Sequence, residues 1–371
     1  MLTLTHECNL SCRYCYESNK SRLTMPLAIA HQAIERHFRD SDGFQELEIS
    51  LHGGEPFIEF DRLRNLAEWI WEQSWPKPFI VFATTNGTLV HGPAQEWAAA
   101  NKSRFYLALS VDGTSAMHNA NRSNSFDRID TEFFLRTWPD QPVKMTVSDL
   151  TLPSLAEGVI YLQERGFKVQ CNFAYGVDWA DSHNLTVLTG QLEKLIAYYL
   201  GNPAVEPCDF MSMEMAAVGA ASPEGILLSG SGERGPRKWC GIGTDLFAID
   251  VDGTEYPCHL FLPLAAGEKS DWHKRFDFSD AASLQDERCR DCTLLPVCPT
   301  CYGMNSLETG NPAIRNKALC SLTKLRALAV SKMAAKMILR RSEFSVFREM
   351  SEDNLSLAIM GIEGVQSSIR L

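Results

Sequence analysis

Cys8, Cys12 and Cys15 stand in the segment Cys8-Asn-Leu-Ser-Cys12-Arg-Tyr-Cys15-Tyr16, a C-x3-C-x2-C spacing close to the start of the sequence. Three thiolates on so short a loop can hold three irons of a 4Fe–4S cube, which normally takes four cysteines. The fourth iron is then open to a small molecule, so a compact trio points to a working cluster. Zinc also takes short Cys-x2-Cys spacings, and the triplet alone leaves a zinc knuckle open. Seven more cysteines crowd the other end: Cys240, Cys258, Cys289, Cys292, Cys298, Cys301 and Cys320. Only Cys171 and Cys208 lie between. Cysteines used simply as small buried residues would be scattered, not grouped.

The 371 residues are 45% hydrophobic and 22% charged, enough for two or three cores. A net charge of −11 argues against nucleic acid as the main partner and leaves room for a basic peptide. No apolar run reaches the roughly 18 residues of a membrane span. The opening Met1-Leu-Thr-Leu-Thr-His6 lacks the parts of a secretory signal. The expectation is a cytoplasmic protein, away from membranes, whose 12 cysteines are reduced and available to metal.

The elements that must position these cysteines alternate in type. Residues 2–5, 47–51, 79–83, 105–111, 143–147 and 169–174 read as strands. Residues 27–38, 61–75, 152–166, 191–200 and 323–341 read as helices; Thr24 and Pro26 mark the first start, and Leu63, Leu66, Trp69 and Ile70 share one face of the second. Such alternation implies an α/β fold with a parallel sheet and helices outside. About six units are too few for a closed eight-fold barrel, so a partial (β/α)6 barrel is expected. Sites in such sheets lie at the carboxyl ends of the strands. The cysteine loop, Gly53-Gly54, Thr84-Thr85-Asn86-Gly87 and Asp112-Gly113 all follow expected strands and would meet on one rim. Residues 201–236 are rich in Gly, Pro, Ser and Ala and read as a loop-rich linker, and a hairpin is expected around Asp252-Gly253. The division expected is a barrel over 1–205, a linker and cysteine-rich domain over 206–322, and a helical C-terminal segment over 323–371.

With Tyr14 beside its last cysteine, the N-terminal triplet resembles the signature loop of the radical S-adenosylmethionine (radical SAM) enzymes. His52-Gly53-Gly54-Glu55-Pro56 resembles their Gly-Gly-Glu-Pro segment. Glycines there let backbone approach the methionine part closely, while Glu55 and nearby carbonyls can accept hydrogen bonds from its ammonium. Ser110, in Leu109-Ser110-Val111-Asp112-Gly113, matches the family's Ser-Leu-Asp-Gly stretch, whose serine faces the ribose. The resemblance puts Tyr14 near adenine and makes Asn86, Arg122 and Ser148 further contacts to S-adenosylmethionine. Turn chemistry is the other reading of Asn86, and an ordinary surface position that of Arg122 and Ser148. The implied chemistry is reductive cleavage of S-adenosylmethionine to a 5′-deoxyadenosyl radical.

The second cysteine group reads C-x12-G-x4-C from Cys240 through Gly253 to Cys258, then Cys289-x2-Cys292-x5-Cys298-x2-Cys301 and Cys320. This resembles the SPASM extension of radical SAM proteins, with one departure: the last spacing of the second block is x2 where the family has x3. The resemblance implies two auxiliary 4Fe–4S clusters, three clusters in all. Cys240, Cys258 and Cys301 would hold one; Cys289, Cys292, Cys298 and Cys320 the other. Cys208 is either the missing fourth ligand of the first or a free buried cysteine. Taken alone, the seven cysteines suit two tetrahedral zincs almost as well.

Relatives with this architecture mostly modify peptides or proteins. The first expectation is a maturase that installs a carbon–carbon, carbon–oxygen or thioether cross-link, cyclophanes included, in a ribosomally made precursor peptide. Single-residue oxidation or epimerisation is the runner-up, and a non-catalytic, metal-stabilised binding protein is the reading from another class. In the formylglycine-forming relatives an aspartate follows the second cysteine of the C-x-G-x4-C segment as the proposed base; here it is His259, in Tyr256-Pro257-Cys258-His259. A histidine can take a proton near neutral pH, or serve only as a hydrogen-bond donor behind the metal ligands. No leader-binding winged domain precedes the expected barrel. Leader recognition would then fall to the cysteine-rich end, the helical tail or a separate protein, and an electron donor is a further expected partner.

Overall fold

All six expected strands form, and two short ones follow: β1 (Leu2–Thr5), β2 (Leu47–Gly53), β3 (Phe79–Thr85), β4 (Phe105–Leu109), β5 (Val143–Val147), β6 (Val169–Phe173), β7 (Ala248–Ile249) and β8 (Glu255–Tyr256). The computed structural model describes residues 1–222 and 238–370. Contacts divide the chain into two compact units. One comprises Met1–Thr146, Arg165–Lys168 and Cys240–Ser279; the other comprises Val147–Glu164, Val169–Trp239 and Asp280–Leu371. These units interleave along the chain, whereas the segments expected from sequence are consecutive.

In the first unit the sheet order is β4-β3-β2-β1-β7-β8. Strands β1 to β4 are parallel, with Leu2 opposite Leu51, Ile49 opposite Val81 and Ala83 opposite Leu107. Ile49 and Leu51, Val81 and Ala83, and Phe105 and Leu107 are buried, the period-2 set of a strand face. Past the end of β4, Ser110 bridges to Lys144 of β5 in parallel. The helix Phe60–Glu72 covers the sheet with Leu63, Leu66, Ala67 and Ile70. Trp69, expected on that face, is instead half-buried and stacks on His31 at 3.8 Å. The hairpin expected around Asp252-Gly253 is β7–β8, closed by Asp250 N to Thr254 O at 2.9 Å with Gly253 at φ +87°. Its pairing was not legible: β7 lies parallel to β1, with Leu2 opposite Ile249. A hairpin from the cysteine-rich region therefore extends the sheet.

The second unit carries β6 and most of the long helices. Of the loop-rich linker expected over 201–236, residues 223–237 lie outside the described residues, and Met215–Ala220 is a helix, not a loop. The small residues that read as linker composition allow a close helix–helix contact. A Cβ on Gly219 would sit 1.9 Å from Leu357 O, and one on Gly361 1.9 Å from Met215 O. The helix expected over 323–341 starts earlier, at Lys317. Asn316 caps it by accepting from Leu319 N at 3.1 Å, which puts Cys320 in its first turn. Among the described residues no helix is long and apolar enough to cross a membrane.

Gly361→Ala should therefore destabilise the second unit by roughly 1–3 kcal/mol through overpacking, read as a lowered midpoint in guanidinium denaturation under reducing conditions. Gly364→Ala, on the same helix with its nearest foreign atom at 3.5 Å, should leave the midpoint unchanged or slightly raised.

Candidate metal and cofactor site

The cysteine loop leaves the carboxyl end of β1 and is tied down along its length. Gly54 N donates to Thr5 O at 3.0 Å and Glu55 N to Glu7 O at 2.9 Å, so β2 goes on pairing with the chain beyond the end of β1. Arg13 N donates to Asn121 O at 2.8 Å, and Lys20 Nζ to Leu10 O at 2.8 Å. Ser11 N donates to Ser123 Oγ at 2.9 Å, and Ser123 holds a left-handed φ of +53° to offer it. A Cβ on Gly53 would lie 2.4 Å from Thr5 O; one on Gly54 would lie 2.4 Å from Glu7 O and 2.9 Å from Cys8 Cβ. The glycines are thus required by close packing against the cysteine loop itself.

Glu55 is completely buried, and its carboxylate is engaged by its own chain. Oε1 accepts from Thr85 Oγ1 at 2.7 Å and Phe57 N at 3.1 Å, and Oε2 from Asn86 N at 2.7 Å. Burial raises its pKa, and these hydrogen bonds pull the other way. Glu55 therefore braces β2 against β3. Asn86 joins the brace to the loop: Nδ2 donates to Asn9 Oδ1 at 2.9 Å, while Oδ1 accepts from Thr88. Ser110 is buried at the end of β4, its backbone N on Thr85 O at 2.9 Å.

Asp112, singled out from sequence only as part of a turn, organises the other side of the rim. It is fully buried. Its carboxylate accepts from Tyr14 Oη at 2.7 Å, Asn121 Nδ2 at 3.2 Å and Thr146 N at 2.8 Å. Arg122 Nε lies 3.1 Å away, and the guanidinium stands over the Tyr14 ring at 5.4 Å. Arg122 is buried, not a surface group. Burial works against its charge, but Asp112, Tyr14 and Cys12 together hold it on. Burial and Asp112 push Tyr14 well above the usual phenol range, so it stays a donor. Ser148 belongs to the second compact unit, where it is buried and turns onto Thr151 through Oγ1 at 3.0 Å from its backbone N.

Cys8, Cys12 and Cys15 carry free thiols. Burial raises all three pKa values, that of Cys12 to about 11. Lys20 opposes the rise at Cys8 and Cys15, and Arg122 at Cys12 and Cys15, while charges on neighbouring thiolates add to it at Cys8 and Cys12. Such a donor set becomes fully ionised only when bound metal neutralises it, which fits an iron–sulfur cluster.

The hairpin that extends the sheet also carries cysteines. Gly243 N donates to Pro257 O at 3.1 Å, holding the turn after Cys240 to the residue before Cys258. His259, next in sequence, is half-buried between Tyr16 and His52, at ring distances of 5.4 and 6.0 Å. His52 Nε2 contacts Glu17 Oε1 at 2.8 Å. Burial, with the charges of His52 and Lys144, lowers His259 to about pKa 3, so its imidazole is neutral; Nδ1 has no hydrogen-bond partner among the described residues. Tyr16, Glu17 and His52 were not singled out from sequence, although each flanks a motif residue.

The remaining cysteines lie in the second unit. Burial pushes the Cys298 thiol up to about 11; Arg315 opposes the rise, and charges on Cys320, Cys292 and Cys289 add to it. Cys301 stands apart with Tyr175 Oη at 3.6 Å. Cys208 is buried against Tyr199, whose hydroxyl accepts from its backbone N at 3.1 Å.

Residues 1–128 match the family model described as a 4Fe-4S single cluster domain. A cysteine-type anaerobic sulfatase-maturating enzyme of Clostridium perfringens (strain 13 / Type A) is 23% identical over 330 residues, covering 78% of this chain and 84% of the relative. The solved structure of anSMEcpe with bound AdoMet superposes with a TM-score of 0.68 at 17% identity, covering 97% of both chains. The fold is that of anSMEcpe. Streptococcus suis SuiB bound to S-adenosylmethionine shares it at a TM-score of 0.54 and 18% identity, over 86% of this chain and 76% of that one. The resemblance to radical SAM enzymes read from two cysteine codes, with a parallel α/β fold and a cysteine-rich C-terminal region, agrees with these similarities.

Two outcomes follow for this site. Gly54→Ala should displace the Cys8 loop and leave about four fewer irons per reconstituted chain, measured by iron analysis; Gly190→Ala, with open space around it, should bind iron normally. His118 is fully buried: Nδ1 accepts from Asp112 N at 3.3 Å, and Nε2 donates to Ser125 Oγ at 3.0 Å. Burial lowers its pKa to about 4. The unfolded chain takes up this proton through about pH 6.5 and the folded chain only near 4, so stability falls as pH drops across that window. Urea denaturation at a series of pH values should show wild type losing roughly 2–4 kcal/mol more than His118→Asn between pH 7 and 4.

Proposed function

We propose that this chain is a radical SAM maturase that installs a cross-link, carbon–carbon, carbon–oxygen or thioether, in a ribosomally made precursor peptide. The observation that carries this reading is the parallel pairing of β7 with β1. Through it the β7–β8 hairpin, from which the Cys258–His259 turn leaves, joins the sheet whose β1 delivers the Cys8–Cys15 loop, and Tyr16 and His52 pack on His259. A radical-generating loop and a cysteine-bearing turn so arranged suit chemistry on a substrate held between them. That anSMEcpe is described with a bound Kp18Cys peptide and SuiB with its precursor peptide SuiA supports a peptide as that substrate.

In this reading Cys8, Cys12 and Cys15 hold the catalytic cluster; Cys240, Cys258 and Cys301 hold one auxiliary cluster, and Cys289, Cys292, Cys298 and Cys320 the other. Bound there, the clusters and S-adenosylmethionine would supply a 5′-deoxyadenosyl radical for hydrogen abstraction and a sink for the second electron. Gly53 and Gly54 keep their backbone against the loop where the amino-acid end of S-adenosylmethionine would bind, and Glu55 and Asn86 hold that backbone still. Tyr14, Ser110, Arg122 and Ser148 complete the proposed cofactor contacts. His259, neutral and with an unmatched buried Nδ1, is an acceptor for a substrate hydrogen bond or proton. A cytoplasmic location, an electron donor and a separate leader-binding protein belong to the same proposal.

Oxidation of a single residue is the second reading, favoured by the 97% mutual coverage with anSMEcpe. His259 in place of an acid weighs against it. Anaerobic reconstitution should give about twelve irons per chain and 5′-deoxyadenosine on reduction; zinc alone with no 5′-deoxyadenosine would overturn both readings. Cys12→Ala should abolish cleavage, and retained cleavage would refute the assignment. Mass spectrometry of the peptide separates the two readings. A cross-link removes two hydrogens and suppresses fragmentation between the joined residues, whereas formylglycine formation from cysteine removes its sulfur.

A further inference from the structure

Arg315 lies in the loop between the helices Tyr302–Thr309 and Lys317–Leu339 of the second unit. Its Nη1 is 2.6 Å from Cys298 Sγ and 3.2 Å from the Cys298 carbonyl oxygen. The loop is pinned on both sides of the residue. Arg315 N donates to Asp286 Oδ2 at 2.9 Å, and Arg315 O accepts from Arg288 Nη2 at 3.2 Å. Asp286 is itself gripped by Arg288, Nε to the two carboxylate oxygens at 2.9 and 3.1 Å. One residue on, Asn316 N donates to Oδ1 of the buried Asn305 at 3.2 Å, and Asn305 Nδ2 reaches back to Pro312 O at 3.0 Å. The guanidinium is therefore held on the sulfur by its own backbone, at a site closed by five separate hydrogen bonds.

A guanidinium keeps its proton in proteins. It offers Cys298 a permanent donor and a full positive charge. Hydrogen bonds to ligand sulfurs and nearby charge are among the levers that set iron–sulfur potentials, because both stabilise the more negative, reduced form. Arg288, by contrast, spends its donors on Asp286 and the Arg315 carbonyl.

We propose that Arg315 is a positioning residue that sets the reduction potential of the cluster held by Cys289, Cys292, Cys298 and Cys320, raising it by donating from Nη1 to the Cys298 sulfur. This rests on the reading of those four cysteines as ligands of one cluster. A raised potential makes that cluster the better electron acceptor of the chain, the property an oxidative peptide modification asks of it.

The test is a redox titration of the full, anaerobically reconstituted chain, followed by electron paramagnetic resonance, with iron analysis of each variant. Arg315→Met should keep its iron and show the reduced-to-oxidised ratio of this cluster lowered about tenfold at a fixed potential, a shift of about 59 mV for one electron. Arg315→Lys, which keeps the charge and a donor, should stay closer to wild type. Full iron with an unchanged midpoint in Arg315→Met would overturn the proposal. Should that variant lose the cluster, Arg315→Gln, which keeps a donor but not the charge, decides by the same measurement: a lowered midpoint supports the proposal, an unchanged one overturns it. Loss of the cluster from both variants would make the residue structural only and overturn the proposal as well. Failure of the underlying reading shows separately, as a Cys298→Ala chain that binds as much iron as wild type.

Discussion

The first unit depends on β1 being hydrogen-bonded along both edges. On one side β2 pairs with it and continues past its end through Gly54 N and Glu55 N. On the other, β7 adds a strand that arrives from far along the chain. The buried contact of His6 Nε2 with Asp250 Oδ1 at 2.6 Å fastens that second edge at the point where β1 gives way to the loop. A four-residue strand has little stability of its own. Held from both sides, it delivers Cys8, Cys12 and Cys15 from a fixed origin, with the Gly-Gly turn against one flank and the β7–β8 hairpin that leads to Cys258 on the other.

Two buried carboxylates complete the rim, each engaged by its own chain. Glu55 spans β2 and β3, and Asp112 gathers Tyr14, Asn121, Arg122 and Thr146. Burying an ion pair is costly, and removing one partner typically destabilises by about 3–5 kcal/mol because the other charge is stranded. Such pairs are kept where they fix a geometry. Here they fix the polar surroundings of the cysteine loop, and Arg122 brings a permanent cation close to Cys12.

What was legible in the sequence is what local periodicity and spacing encode. Every strand of the expected barrel forms, and the cysteine codes identify the fold, because alternation, turn residues and ligand spacing are properties of short windows. Other features depend on distant residues. The role of Asp112 was hidden because its partners come from three separate stretches, and the pairing of β7 because a two-residue strand has no pattern to read. The glycine- and alanine-rich stretch before residue 222 reads equally as linker or as close-packed helix. Only the presence of Leu357 and Gly361 against Gly219 decides between them. Cys320 appeared to precede its helix because the cap, Asn316, sits before residues that carry no apolar rhythm.

The lock between His6 and Asp250 joins residues 244 apart in sequence. During synthesis a chain grows from its N-terminus at about 5–20 residues per second, so the first cysteines emerge many seconds before the strand that closes their sheet edge. Through that interval β1 has an open edge, and the thiols of its loop lie outside their finished surroundings. Non-local pairings of this kind are slow to form. The order of events in biogenesis is thereby constrained: iron delivered to the N-terminal cysteines before that point would meet an incomplete scaffold, and a chain grown past Tyr256 is the earliest species that has both edges of β1 paired.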